Sequence, residues 1–185
     1  VCALRNNGHQ VLVIGPKYGE GKTVINEDTI FLSGITLKNI YGYKITSLYS
    51  SKVYKIIKNF RPDVFHIQTD FSVGQFGRIV ARKLKDVPIV YTYHTSYEDY
   101  TYYLTKGMAD RIAKRFVRSY NKSLAKSVTE YITPSYKTMD YMRQTGLDSY
   151  INVVPTGFDF SGFDPARINQ REIEKFKHSH GISPN

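Results

Sequence analysis

A single cysteine, no tryptophan and a shortage of acids set the first limits on this 185-residue chain. Cys2 alone excludes an internal disulfide and a cysteine-built metal site, and it fits a reducing compartment, so a cytoplasmic protein is expected. Only 16 Asp and Glu stand against 26 Lys and Arg, a formal charge of +10. That imbalance calls for an anionic partner: nucleic acid, a phosphate-bearing substrate or an acidic membrane. Charge alone does not choose among them. No apolar run approaches the roughly 20 residues needed to span a bilayer, and no basic stretch followed by an apolar one opens the chain as a secretory leader would. Any membrane association is therefore expected to be peripheral. Internal repeats and low-complexity tracts are also missing. What is plentiful is tyrosine, 16 residues, whose amphipathic rings suit wet interfaces and sugar stacking as well as cores. With 41% hydrophobic and 23% charged residues, the composition is that of a globular domain with a real core.

The order of elements reads as α/β. Residues 1–9 look like the last turns of a helix closed by Gly8, followed by a strand at 11–14. A short strand at 30–32 precedes a helix at 50–60 with Val53, Ile56, Ile57 and Phe60 on one face. Strands are expected at 64–67, 88–92, 131–133 and 151–154. Between them lie helices at 74–84, where Gly74, Gly77 and Ala81 permit close approach to a sheet, at about 106–127, and from Ser135 to a stop at Gly146. A charged helix over about 167–180 closes the chain. Strands alternating with helices at this rhythm imply a twisted, mostly parallel sheet with helices on both faces.

Residues 15–23, G-P-K-Y-G-E-G-K-T, imitate a phosphate-binding P-loop after a strand. The imitation fails on spacing: a P-loop places four residues between its glycines, whereas Gly15 and Gly21 have five between them. The following V-I-N-E-D-T lacks the helical period that would aim N–H groups at phosphates. A flexible strand-to-strand loop is the expectation, and nucleotide hydrolysis is not.

The most informative stretch is 88–100, P-I-V-Y-T-Y-H-T-S-Y-E-D-Y. A buried strand stops abruptly, and His94, two hydroxyls, Glu98, Asp99 and three tyrosines follow within a few residues. In open α/β sheets, ligands bind just past the carboxyl ends of strands. Residues 64–70 repeat the pattern, with Gln68, Thr69 and Asp70 after a strand. Glu98 and Asp99 are adjacent and point to different sides, whereas paired glycosidase carboxylates stand at least roughly 5 Å apart across a sugar. Asp99 is read as a capping or supporting carboxylate. His66, inside an apolar strand, reads as a packed and satisfied histidine. His178 and His180 face different sides of a helix with no third ligand near, so no metal is expected.

Taken in order, D-V-F-H-I-Q-T-D-F-S-V-G-Q-F-G (63–77), P-I-V-Y-T-Y-H-T-S-Y-E-D-Y (88–100), T-P-S (133–135) and V-V-P-T-G-F-D (153–159) resemble the amino-terminal domain of retaining GT-B-fold glycosyltransferases, in particular bacterial enzymes that glucosylate diacylglycerol. The resemblance implies a Rossmann-like, acceptor-side domain over 1–165, lacking its first strand, and a helix over 166–185 leading toward an absent donor domain. The family's paired glutamates and its glycine-rich first loop have no counterpart here, so a catalytically incomplete fragment is expected.

By the same resemblance, His94 matches the family histidine at the bottom of the cleft and is the catalytic candidate. Gln68, Thr69 and Asp70 line the acceptor side, Tyr97 and Tyr100 offer ring faces to sugar or glycerol, and Thr156 with Gly157 forms the turn that approaches donor phosphate. The implied reaction moves a hexose, expected to be glucose from UDP-glucose, to a diacylglycerol-type lipid with retention. The nucleotide sugar is a substrate, and no cofactor is implied. A transferase for a soluble or polysaccharide acceptor would share every motif. A nucleic-acid-binding module is the other rival, opposed by few bases among the aromatics and no recognition signature.

The helix over 108–126 bears on the acceptor independently. At 100° per residue, Met108, Ala109, Ile112, Ala113, Phe116, Val117, Tyr120 and Leu124 share an arc of roughly 180°. Arg111, Lys114, Arg115, Arg118, Lys122 and, on its border, Lys126 fill the rest, with Asp110 the one acid in the span. A face of one sign suggests an anionic surface, placing the protein peripherally on the inner face of the cell membrane with no nucleic acid as partner.

Overall fold

The computed structural model describes residues 1–37, 43–69, 72–94, 115, 119–120, 123–124, 126–158, 160–164 and 169–182. Most of the 108–126 helix, and Asp70, Tyr97 and Tyr100 with it, lie outside the described residues. The chain divides into two units, Val1–Pro155 and Thr156–Asn185.

The first unit opens with α1 (Cys2–Asn6). Gly8, at φ +85, closes it: its N–H donates to Arg5 O (2.9 Å) and that of His9 to Leu4 O (3.1 Å). Both last-turn carbonyls are thereby satisfied, which requires a left-handed residue that glycine adopts without strain. Next come β1 (Val13–Pro16), β2 (Val24–Ile25), β3 (Thr29–Leu32), β4 (Gly34–Leu37) and β5 (Tyr43–Thr46). They form a three-stranded sheet, ordered β1-β3-β2 with β1 and β3 parallel, and a separate antiparallel pair, β4 with β5.

Helix α2 (Ser51–Phe60) is capped by Ser50, whose hydroxyl accepts from Val53 N, and buries Val53 and Ile57, leaving Ile56 and Phe60 half-buried. After it run β6 (Phe65–Ile67), α3 (Ser72–Leu84), β7 (Ile89–Thr92), β8 (Glu130–Thr133), α4 (Tyr136–Gln144) and β9 (Ile151–Val153). Strands β6-β7-β8-β9 make an all-parallel sheet in that order. α4 repeats both devices: Ser135 caps its start by accepting from Thr138 N (3.2 Å), and Gly146 (φ +85) donates to Arg143 O at its end.

Register explains the core. Ile67, Tyr91, Tyr131 and Ile151 are lateral partners across the four parallel strands, and all four are buried. Ala81 of α3, and Met142 of α4 with the following Leu147, pack on that row, so both helices cover the same face. A second cluster joins Ile30, Leu32, Val53 and Ile57 to Phe76 and Val80 of α3, with Phe65 bordering both. α3 is thus the shared wall between the two cores. Arg78 on it is buried and donates to Ser127 Oγ, Ser123 O and Gln75 Oε1, tying the helix to the segment before β8.

The second unit contains a 3-10 turn (Phe160–Phe163) and α5 (Gln170–Ser179), capped by Asn169. Phe158 packs its ring against Phe160 and Phe163 at 4.9 and 5.2 Å, and all three are exposed.

Candidate functional site

Because β6 and β7 are adjacent and parallel, the polar residues that follow each emerge on one edge of the sheet. Ile67 pairs with Tyr91, so Gln68 and Thr69 leave β6 where Thr92 completes β7; both side chains are exposed. The loop at 68–69 is pressed against α3. A Cβ on Gly74 would collide with the carbonyl oxygen of Thr69, so only glycine lets the helix start so close to the loop. Ser72, the first residue of α3, fastens the same region from the other side: its hydroxyl accepts from Thr46 N (2.9 Å).

His94 is exposed, two residues beyond β7. Tyr93 N donates to Ile132 O (2.9 Å), and Tyr93 belongs to the same core as Tyr91. Strand alternation therefore continues past Thr92 and sends His94 to the opposite face, the face of His66, Val90 and Thr92.

His66 differs from the sequence expectation of a packed side chain. It is exposed, although Thr92 on the same face is buried and Val90 half-buried. It is nonetheless hydrogen-bonded: Nε2 lies 2.7 Å from Thr92 Oγ1. Burial of part of the ring, and then the neighbouring His94, hold His66 below the ordinary histidine range. Thr92 is only 9% exposed. Sequence reasoning passed over Thr92 and took His66 for a packed histidine, although the signal was present as a polar side chain within each of two otherwise apolar strands.

The imitation P-loop is a strand-to-strand connection, running from β1 to β2 with no helix after it. Its carbonyls are taken by lysines: Lys44 Nζ donates to Lys17 O (2.7 Å) and to Gly19 O, and Lys17 Nζ to Glu20 O. Thr23, which in a true P-loop would serve a metal, instead stitches β2 to β3 by accepting from Ser33 N (3.0 Å).

Thr156 and Gly157 are exposed at the start of the second unit. Of the six expected membrane-facing bases, Arg115 is helical and exposed, whereas Lys126 stands in a turn beyond the helix and is also exposed. The other four are outside the described residues. His180 stacks on Phe176 with ring centroids 4.1 Å apart. Among the described residues, no group of three His, Cys, Asp or Glu is placed to hold a metal, and no helix is long and apolar enough to cross a membrane.

Comparison with known proteins agrees with this arrangement. The chain is 31% identical over 180 residues to an alpha-monoglucosyldiacylglycerol synthase of Acholeplasma laidlawii, covering 95% of this chain and 45% of that protein. To an alpha-monoglucosyldiacylglycerol synthase of Streptococcus pneumoniae (strain ATCC BAA-255 / R6) it is 35% identical over 134 residues, 71% of this chain and 29% of that protein. The chain thus spans less than half the length of these curated relatives. Residues 1–161 match Glycosyltransferase Family 4. With that match over most of its length and a parallel sheet whose polar strand ends share one edge, the chain belongs to glycosyltransferase family 4 and has the amino-terminal domain of the GT-B fold.

Proposed function

We propose that this chain is the acceptor-side part of an enzyme that transfers glucose from UDP-glucose to a diacylglycerol-type lipid, with retention of configuration. The observation that carries the reading is the common edge formed by His94 and the 68–69 loop, in a family 4 chain whose relatives bear the name alpha-monoglucosyldiacylglycerol synthase. His94 hydrogen-bonds the transferred sugar through its imidazole. Gln68 and Thr69, with Asp70, Tyr97 and Tyr100, receive the acceptor. Thr156 and Gly157 meet the donor phosphate by a backbone turn. No strong base is required: the rate comes from orienting the two substrates and from stabilising the departing diphosphate. Division follows the same reading, with 1–165 as the acceptor-side domain and 166–185 leading toward a donor domain.

The lipid acceptor places the enzyme peripherally on the cytoplasmic face of a bacterial membrane. Arg111, Lys114, Arg115, Arg118, Lys122 and Lys126 lie against anionic head groups, each nearby base contributing about 1 kcal/mol. The test is product analysis with the full-length protein that contains this chain, supplied with labelled UDP-glucose and diacylglycerol in mixed micelles. A glucolipid with an α linkage is expected. A β linkage would overturn retention, and label appearing only on a water-soluble acceptor would overturn the lipid assignment.

A further inference from the structure

His66 has no role in the reading above, yet its surroundings are those of a working side chain. It sits one residue before the carboxyl end of β6, exposed, with Nε2 held by the Thr92 hydroxyl at 2.7 Å. Thr92 ends β7 and is two residues from His94. Parallel register places His66 beside Val90, and alternation then sets Val90, Thr92 and His94 along the same face. The two imidazoles are near enough for charge on one to oppose charge on the other. Among the described residues, Glu130 is the further charged group that the neighbouring strands bring to this face; it lies two strands from His66 and accepts from Asn152 Nδ2. Both helices, α3 and α4, pack on the other face, so neither adds a charge here.

We propose that His66 is a positioning residue of the site, which through Thr92 fixes the strand end that carries His94 and stands on the same face beside it. The proposal rests on His94 being the ligand-facing residue of a glycosyltransferase. Burial of part of the ring, and then the charge that His94 can carry, hold the His66 imidazole toward its neutral form. Since Nε2 is engaged by Thr92, Nδ1 is the nitrogen that His66 has left for a ligand. A neutral ring offers that atom to an uncharged hydroxyl, as on a sugar or glycerol, rather than a cation to phosphate.

The test follows the imidazole Cε1–H signals by NMR through a pH titration of the 185-residue chain, with no sugar present. Changing His94→Asn is expected to move the His66 titration to higher pH; an unmoved titration would overturn the placement beside His94. A His94→Gln variant, followed in the same way, keeps the test decisive where His94→Asn fails to fold. Thr92→Val is expected to shift the His66 Nε2 resonance and Thr92→Ser to restore it; identical spectra for parent and Thr92→Val would overturn the anchoring. Inorganic pyrophosphate at neutral pH is expected to leave His66 in place, and a move toward the protonated shift would overturn the hydroxyl assignment. A full-length protein that transfers glucose without such coupling sinks that placement alone. Coupling in one that transfers none sinks the enzymatic reading alone.

Discussion

Gly74 faces the carbonyl oxygen of Thr69 so closely that no Cβ fits between them, while a Cβ on Gly77, one turn later, would meet only the Ile67 side chain, at an ordinary contact distance of 3.4 Å. The two glycines therefore respond oppositely to the same change. Gly74→Ala forces backbone apart and should cost about 1–3 kcal/mol or somewhat more. Gly77→Ala removes a helix-interior glycine and should be neutral or stabilise by up to about 1 kcal/mol. Urea midpoints decide it; equal losses at both positions would contradict the close approach of α3 to the 68–69 loop.

Much of this fold is legible because local chemistry determines it. Gly8 and Gly146 end helices where a left-handed residue is needed, Ser50 and Ser135 begin them by satisfying free N–H groups, and apolar runs mark β6 to β9. β4 and β5 were not foreseen. Ile35 and Ile45 oppose each other across that pair yet both face outward, so no buried face imposes an alternating pattern. Likewise the candidate site is legible as polar residues after strands. The bond from His66 to Thr92 is not, since it exists only once β6 lies in register beside β7.

Arg78 offers a second test of how α3 is held. It is 4% exposed and bonds two seryl groups and Gln75, with no carboxylate partner among the described residues. Arg78→Met would leave Ser127 Oγ and Ser123 O, both part-buried in these bonds, without the donor that a buried guanidinium supplies. The expected loss is about 2–3 kcal/mol, and Arg78→Lys should recover only part of it because an ammonium cannot reproduce the fork. Chemical denaturation of the three proteins measures this; a loss below about 0.5 kcal/mol for Arg78→Met would show the bonds to be dispensable.

The loop at 15–23 should bind no ATP, because its carbonyls are occupied by Lys17 and Lys44 and no helix N-terminus follows. Equilibrium dialysis at micromolar ATP is expected to show no retention by the parent or by Lys22→Ala. Binding by the parent that disappears in Lys22→Ala would restore the P-loop reading.

Membrane contact through the basic helix predicts a strong lipid preference. The chain should co-sediment with vesicles containing phosphatidylglycerol and much less with neutral phosphatidylcholine. Arg111, Arg115, Arg118 and Lys122 all changed to glutamine should weaken that binding by several kcal/mol, at about 1 kcal/mol per base. Equal binding of both proteins, or indifference to anionic lipid, would favour a soluble acceptor.

The central claim is that His94, projecting from the end of β7, serves the transferred sugar. Its most direct test is turnover of UDP-glucose with diacylglycerol by the full-length protein and its His94→Ala variant, with folding checked by circular dichroism. Loss of a polar contact that strengthens in the transition state should lower kcat about 100- to 1,000-fold, on the order of 2.7–4 kcal/mol. Activity within a factor of about three of the parent would leave less than 1 kcal/mol at stake and contradict the assignment.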